Sequence, residues 1–227
     1  ERAGLAVACF EHGTSRALDP QLHTHCLVLN VAAREDGSFG TLRSQDLYRH
    51  KMAAGALYRS TLASQLKPLG LDVERDGSSF RLATVPKELE ERFSTRKAEI
   101  ERALEGLDQN SPRVRELAAL STRETKGHVA RSELFPTWKE VGQEFGFAPE
   151  LSKEEPSRSH PRNDIQQDAS RAVSELLGER AFFSERELVR KLATELQDRG
   201  VSAKEIRNAT SQALSKAHSL GIHDGYT

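Results

Sequence analysis

Three histidines have the types and spacing to do chemistry together. His23 and His25 are separated by one residue in QLHTHCLVLN, and His12 lies eleven residues before His23. In a strand, alternate side chains share a face, so His23 and His25 project the same way, about 7 Å apart at a rise of ~3.3 Å per residue. If the segments flanking GTSRALDP pair as antiparallel strands, His12 faces the same spot. Three neutral nitrogen donors with coordination positions left open are the pattern of a catalytic metal site rather than a closed structural one. A His-x-His pair also arises readily by chance on a half-exposed sheet face. No Cys or carboxylate completes the set: Cys26 and Glu11 alternate away from the histidines, and Asp19 belongs to the turn as an Asx-type loop former. On these residues alone, the choice between a metal centre and an ordinary sheet face stays open.

The elements that must position this group are legible around it. Residues 3–12 and 21–33 are rich in Val, Leu, Phe and Cys and read as strands. Between them GTSRALDP is a run of turn formers, and Arg34-Glu35-Asp36-Gly37 turns the chain into a third strand around 38–42. Short loops between neighbouring strands imply an antiparallel sheet. From Ser44 the period becomes helical, with Leu47, Ala54, Leu57, Leu62 and Leu66 as one stripe that Pro68-Leu69-Gly70 ends. A hairpin follows, turning at Asp76-Gly77. Pro86 opens helical sequence to Leu107, with Ser94 as the internal cap of a second segment, and 112–120 and 132–145 are further helices. Strands first and helices after them give an α+β class, an antiparallel sheet with packed helices.

At 148–162 the composition shifts to Pro and charge, which reads as a linker. Beyond it lie helical patterns at 163–177, 184–197 and 202–220, the second opened by a capping box of Ser184 and Glu187. With Gly221-Ile222-His223-Asp224-Gly225 as the start of a wing, residues 163–227 read as a partial winged-helix-like domain. The expected division is therefore 1–147, linker 148–162, and 163–227.

The chain has 227 residues, with 33 Lys+Arg against 34 Asp+Glu. A net charge of −1 gives no global sign of nucleic-acid binding, so any such binding must rest on a local patch. Mean hydropathy is −0.61 and no apolar run is long enough to span a bilayer. Cys9 and Cys26, both in strand-like stretches, read as reduced thiols of a cytoplasmic protein. No Gly-x-x-x-x-Gly-Lys-Ser/Thr sequence is present, which excludes a P-loop ATPase in this stretch, and no Gly-x-Ser-x-Gly elbow occurs. Glu1, rather than Met, opens the sequence, so a longer parent is expected.

Phe-x-His-x-Thr-Ser-Arg-x-x-Asp-Pro-x-Leu-His-Thr-His, followed by Val and Asn, closely resembles the third motif of TrwC/TraI-type conjugative relaxases, the MobF class of HUH endonucleases. Tyr48-Arg49-His50-Lys51 to Tyr58-Arg59, Arg92-Phe93-Ser94-x-Arg96 and Thr122-Arg123-x-x-Lys126 also look like that family. The resemblance covers roughly residues 1–147, and the tail resembles the segment that joins relaxase to helicase in the same proteins. It implies that His12, His23 and His25 form the family's metal triad, holding a divalent ion: either Mg, or Mn or another transition metal. It implies a metal-dependent nickase whose partner is single-stranded DNA at a plasmid transfer origin, with other conjugation proteins as further partners. A tyrosine there attacks the scissile phosphate, and the metal offsets the charge that develops.

In the family, the nucleophilic tyrosines precede the histidine motif near the N-terminus. Tyr48 and Tyr58 sit ten apart on a helix and are expected to pack against the sheet, and Tyr226 lies near the chain's end. None is assigned as nucleophile, so the isolated chain is expected to lack nicking activity. The resemblance favours Arg16 as a phosphate clamp with its planar fork, and raises Lys126 as a phosphate contact. Asn30 is expected to support the strand's end. Arg43, Arg49, Lys51, Arg92, Arg96 and Lys97 could line a DNA groove, but the interspersed Glu residues make them read as ordinary surface. His50, His128, His160, His218 and His223 share no ligand spacing. Trp138 and Phe145 read as core residues rather than a stacking platform. The competing reading is a non-catalytic DNA-binding module with a vestigial metal site.

Overall fold

A computed structural model describes residues 4–107, 111–122, 129–148 and 164–218. In chain order these form strands β1 (Gly4–Thr14), β2 (Pro20–Ala33) and β3 (Phe39–Gly40), then helix α1 (Ser44–Leu66) and a 3-10 turn (Lys67–Leu69). Strands β4 (Val73–Asp76) and β5 (Ser79–Leu82) follow, then helices α2 (Lys87–Arg92), α3 (Thr95–Ala103), α4 (Pro112–Ser121) and α5 (Arg131–Glu144). Helices α6 (Ile165–Glu179), α7 (Glu185–Glu195) and α8 (Ala203–His218) complete the order, with a second 3-10 turn at Gln197–Arg199. The expected α+β class is observed. Lys126, Arg123, His128, His160, His223, Tyr226, the proposed wing and nearly all of the proposed linker lie outside the described residues.

Two compact units result. The first comprises residues 1–42 and 85–149, the second 43–84 and 150–227. Helix α1 and the β4–β5 hairpin therefore share a unit with α6–α8, a pairing that a linear reading of the chain does not display.

In the first unit, β1, β2 and β3 form an antiparallel sheet in that order. The β1–β2 loop is closed by the Ser15 amide on the Asp19 carbonyl at 2.9 Å and the Leu18 amide on the Ser15 carbonyl at 3.2 Å. Leu18 holds φ 64°, a left-handed conformation that a branched side chain adopts only under outside constraint. The β2–β3 turn uses Gly37 at φ 81°, where glycine meets no Cβ penalty. Asn30 behaves as expected: its Oδ1 accepts from the Leu42 amide at 3.0 Å and secures the chain leaving β3.

In the second unit the core is continuous. Leu188, Leu192, Leu196 and Ile206 are fully buried among Ala169, Ala172, Leu176, Phe183, Val201 and Ala209, with Ala56 of α1 in the same cluster. The buried stripe of α1 is Ala53, Ala56, Ser60 and Ala63. The expected stripe of larger residues is displaced: Leu47 and Ala54 are exposed, and Leu57, Leu62 and Leu66 are half-buried. Small side chains occupy the seam because they let helix backbones approach closely. The buried Ser60 hydroxyl is satisfied by donating to the Val201 carbonyl at 2.7 Å. The Ser184–Glu187 box is formed, with the Ser184 amide and hydroxyl both donating to the Glu187 carboxylate at 2.8 Å.

Candidate metal centre

Strand register assembles the site. His12 lies opposite His23, and Phe10 opposite His25, in the β1–β2 ladder. Alternation then carries all three imidazoles to one face. Their ring centroids are 5.4 Å (His12–His23), 4.7 Å (His12–His25) and 4.9 Å (His23–His25) apart. One nitrogen from each ring lies within 4.8 Å of the others, close enough for one ion to bridge all three. His12 and His23 are half-buried and His25 is exposed, so the cluster is open on one side. The Nδ1 of His23 lies 3.0 Å from the Gln21 carbonyl. A proton on Nδ1 makes that contact a hydrogen bond and leaves Nε2 as the ligating lone pair, the usual second contact of a metal-bound histidine. The donor set, three neutral imidazoles without a carboxylate, suits a divalent transition ion with exchangeable positions.

The loop between the histidine-bearing strands is pinned from two sides. Asp19 is buried, and its carboxylate accepts from the Thr95 hydroxyl at 2.9 Å, the Thr95 amide at 3.2 Å and the Ser15 hydroxyl at 3.3 Å. It therefore holds the loop and also caps the first turn of α3. Ser94, the expected cap, instead donates its hydroxyl to the Glu90 carbonyl at 2.6 Å. The Trp138 indole N–H donates to the Leu18 carbonyl at 3.1 Å, and its ring meets Phe135 edge-on at 5.5 Å. Trp138 is thus a half-buried clamp on the loop rather than a core residue, and Phe145 sits at the edge of exposure.

Arg16 is half-buried in this same loop. Lys126 is among the residues not described. Arg96 is tied into its own fold and is not a free member of a basic groove. Its guanidinium donates to the Ala119 carbonyl at 2.6 Å and to the Thr122 carbonyl at 2.7 Å, tying down the end of α4. It also pairs with Glu99 at 2.9 Å. Arg43 and Arg49 both face Asp46, at 3.6 and 3.4 Å, and Lys97 faces Glu101 at 3.8 Å. Tyr48 and Tyr58 do not pack: they are 71% and 64% exposed on α1, in the second unit. Sequence reasoning missed the roles of Asp19 and Trp138. Their partners lie 76 and 120 residues away, and no local pattern announces such contacts.

Comparison with known proteins agrees with this geometry. The family model described as TrwC relaxase matches residues 1–145. The multifunctional conjugation protein TraI of Escherichia coli K12 is 36% identical over 154 residues, 63% of this chain and 8% of TraI. A second Escherichia coli TraI is 35% identical over the same shares. Among solved structures, the metal-free conjugative relaxase TrwC in complex with OriT DNA superposes with a TM-score of 0.60 at 34% identity, over 63% of this chain and 53% of that one. The copper-bound TrwC–OriT complex gives 0.61 at 33% identity, over 65% and 52%. The chain thus spans about half the length of the TrwC chains and 8% of TraI. With the histidine triad inside the matched segment, the chain belongs to the TrwC relaxase family.

Proposed function

We propose that this chain is the metal-binding part of a conjugative relaxase, an enzyme that nicks single-stranded DNA at a plasmid transfer origin and holds the cut strand on a tyrosine. The observation that carries the reading is the convergence of His12, His23 and His25 within 4.8 Å inside the family-matched segment. The TrwC structures, solved with OriT DNA and with bound metal, support the same partner and cofactor class here.

In this reading the three histidines hold a divalent ion. When bound, the ion polarises a scissile phosphate and offsets the charge of the transition state. Neutral ligands leave the ion's charge undiminished toward the phosphate. Arg16 grips a phosphate oxygen from the loop, and Lys126 adds a second phosphate contact. Tyr48, Tyr58 and Tyr226 are not the nucleophile, so the attacking tyrosine comes from another segment of the enzyme. Residues 1–147 are the C-terminal portion of the relaxase domain, and residues 163–227 lead toward a helicase region. The reading places the protein in the cytoplasm; among the described residues no helix is long and apolar enough to cross a membrane.

The test is a denaturing gel with end-labelled origin DNA and Mg²⁺ or Mn²⁺. The 227-residue chain should give no covalent adduct. The chain joined to a segment bearing the family's tyrosines should give one, and His25→Ala in that protein should abolish it. A protease-sensitive adduct from the 227-residue chain alone would overturn the assignment of the nucleophile. An adduct undiminished by His25→Ala would overturn the role of the triad.

A further inference from the structure

The face of the β1–β2 ribbon opposite the triad carries a second paired group. Cys9 and Cys26 are register partners, one rung from the Phe10–His25 pair. Their Sγ atoms are 3.8 Å apart, and both thiols are free and exposed. Directly opposed residues of an antiparallel ladder have Cα atoms about 4.5–5.5 Å apart. That range lies inside the roughly 4.4–6.8 Å window of disulfides, so bond closure asks for side-chain rotation and little backbone movement. The position in the chain matters as much as the distance. Residues 9–26 enclose His12, His23 and His25, so a Cys9–Cys26 bond would make the whole ligand-bearing segment a closed ring. The thiols lie on the other face, and closing the ring consumes no metal ligand.

We propose that Cys9 and Cys26 are a reversible redox modification site, oxidised by low-molecular-weight disulfides, whose closure preorganises the metal triad. One cysteine sulfur attacks the external disulfide and displaces one of its halves as a thiol, leaving a mixed disulfide on the protein. The second cysteine sulfur attacks the protein-bound sulfur, forms the Cys9–Cys26 bond and releases the other half. The external disulfide gains two electrons and the two protein thiol protons, and the protein is oxidised by the same two electrons. The bond ties the strand that carries His12 to the strand that carries His23 and His25. Fewer arrangements of the ligands then compete with the binding one. This second step rests on the metal-site reading above; the thiol chemistry stands without it.

The experiment treats the reduced chain with oxidised glutathione, followed by intact-mass and peptide mapping. Ni²⁺ titration of both redox forms by calorimetry follows, because imidazole donors suit that ion. The expected product is a monomer lighter by its two thiol hydrogens, with peptides 9 and 26 joined. It should bind Ni²⁺ several-fold more tightly than the reduced form. Cys9→Ser should instead retain glutathione on Cys26, and the Cys9→Ser/Cys26→Ser chain should bind Ni²⁺ as the reduced wild type does. Glutathione retained on both cysteines of the wild type, or a cross-linked dimer, would overturn the site. An internal disulfide with unchanged Ni²⁺ affinity would overturn its coupling to the triad. A disulfide formed in a chain that binds no Ni²⁺ in either state would overturn the metal-site reading itself and leave the thiol pair standing.

Discussion

The ribbon that carries the histidines and the unit built around α7 are held together by different means. In the second unit, leucines and alanines close a core in which Leu188, Leu192 and Ile206 are fully buried. In the β1–β2 ribbon, apolar side chains stand open instead: Leu22 is 77% exposed and Leu27 58%. The triad's geometry there comes from ladder register and from polar pins, Asp19 on Thr95 and Trp138 on Leu18. A hydrophobic core is non-directional and supplies stability. Register and charge-assisted hydrogen bonds are directional, and they place nitrogen atoms to within ångströms. The site sits where direction matters more than burial.

The sharpest break in this comparison is at the three histidines. His12→Ala and His25→Ala should each abolish measurable Ni²⁺ binding at pH 7.5 while leaving the thermal transition of the helical unit in place. In the wild type, affinity should fall on acidification, because ligation needs the neutral ring and protons compete with the ion. Calorimetry as a function of pH checks both. Retained affinity in either variant would show that register does not assemble the site.

Leu192→Ala tests the other side of the contrast. Removing a fully buried leucine from the helical core should cost about 2–5 kcal/mol in denaturant unfolding. Ni²⁺ affinity, measured where the variant is still folded, should not change. A parallel loss of affinity would mean that the two regions are energetically one.

Asp19→Ala should have an intermediate effect. It strips the cap from the first turn of α3 and leaves the Thr95 amide and hydroxyl unpaired, a cost of about 1–3 kcal/mol. Ni²⁺ affinity should weaken several-fold because the loop joining the ligand strands is released. Trp138→Phe keeps an aromatic ring but loses the indole N–H and part of the ring's area, so the lost hydrogen bond should cost about 0.5–1.5 kcal/mol with a slight loss of affinity. If Trp138→Phe harmed metal binding more than Asp19→Ala, the order of the two pins would be reversed.

The smallest effect is in the charges of the helical unit. Lys191 lies 2.7 Å from Glu175 and 3.0 Å from Glu195. The Lys191 hydrogen bond holds the Glu175 carboxyl below its ordinary value, and the Glu175 hydrogen bond holds the Lys191 ammonium above its own. A depressed carboxyl stabilises above its unfolded value of 4.5, and that contribution is lost as pH falls through the lower folded value. A raised ammonium stabilises below its unfolded value of 10.5 and loses that contribution as pH rises through the higher folded one. Lys191→Met should flatten both flanks of the stability–pH curve slightly, with most of the change screened by salt.

The strands, the three C-terminal helices and the Ser184–Glu187 box were all legible, because each is written in periodicity or in residues three or four apart. So was the facing of the triad: period-2 alternation sends His23 and His25 one way and Cys26 the other. The α1 stripe was not, because a seam of Ala53, Ala56, Ser60 and Ala63 carries little hydrophobic contrast. Arg96 read as a candidate for DNA because a sequence gives the charge and not its partner, the carbonyls that end α4.

What the sequence determined by itself was the three imidazoles and the strand face that His23 and His25 share. Imidazole chemistry, strand alternation and the Phe10–Asn30 motif need no information from distant residues. Tertiary structure decided which rung of β1 meets which rung of β2, and so brought His12 opposite His23. It also decided that Asp19 would cap a helix 76 residues away and that α1 would join the C-terminal helices in one unit. These are long-range contacts. Each depends on the shape and polarity of surfaces that exist only once the chain has folded, and so no local window contains them.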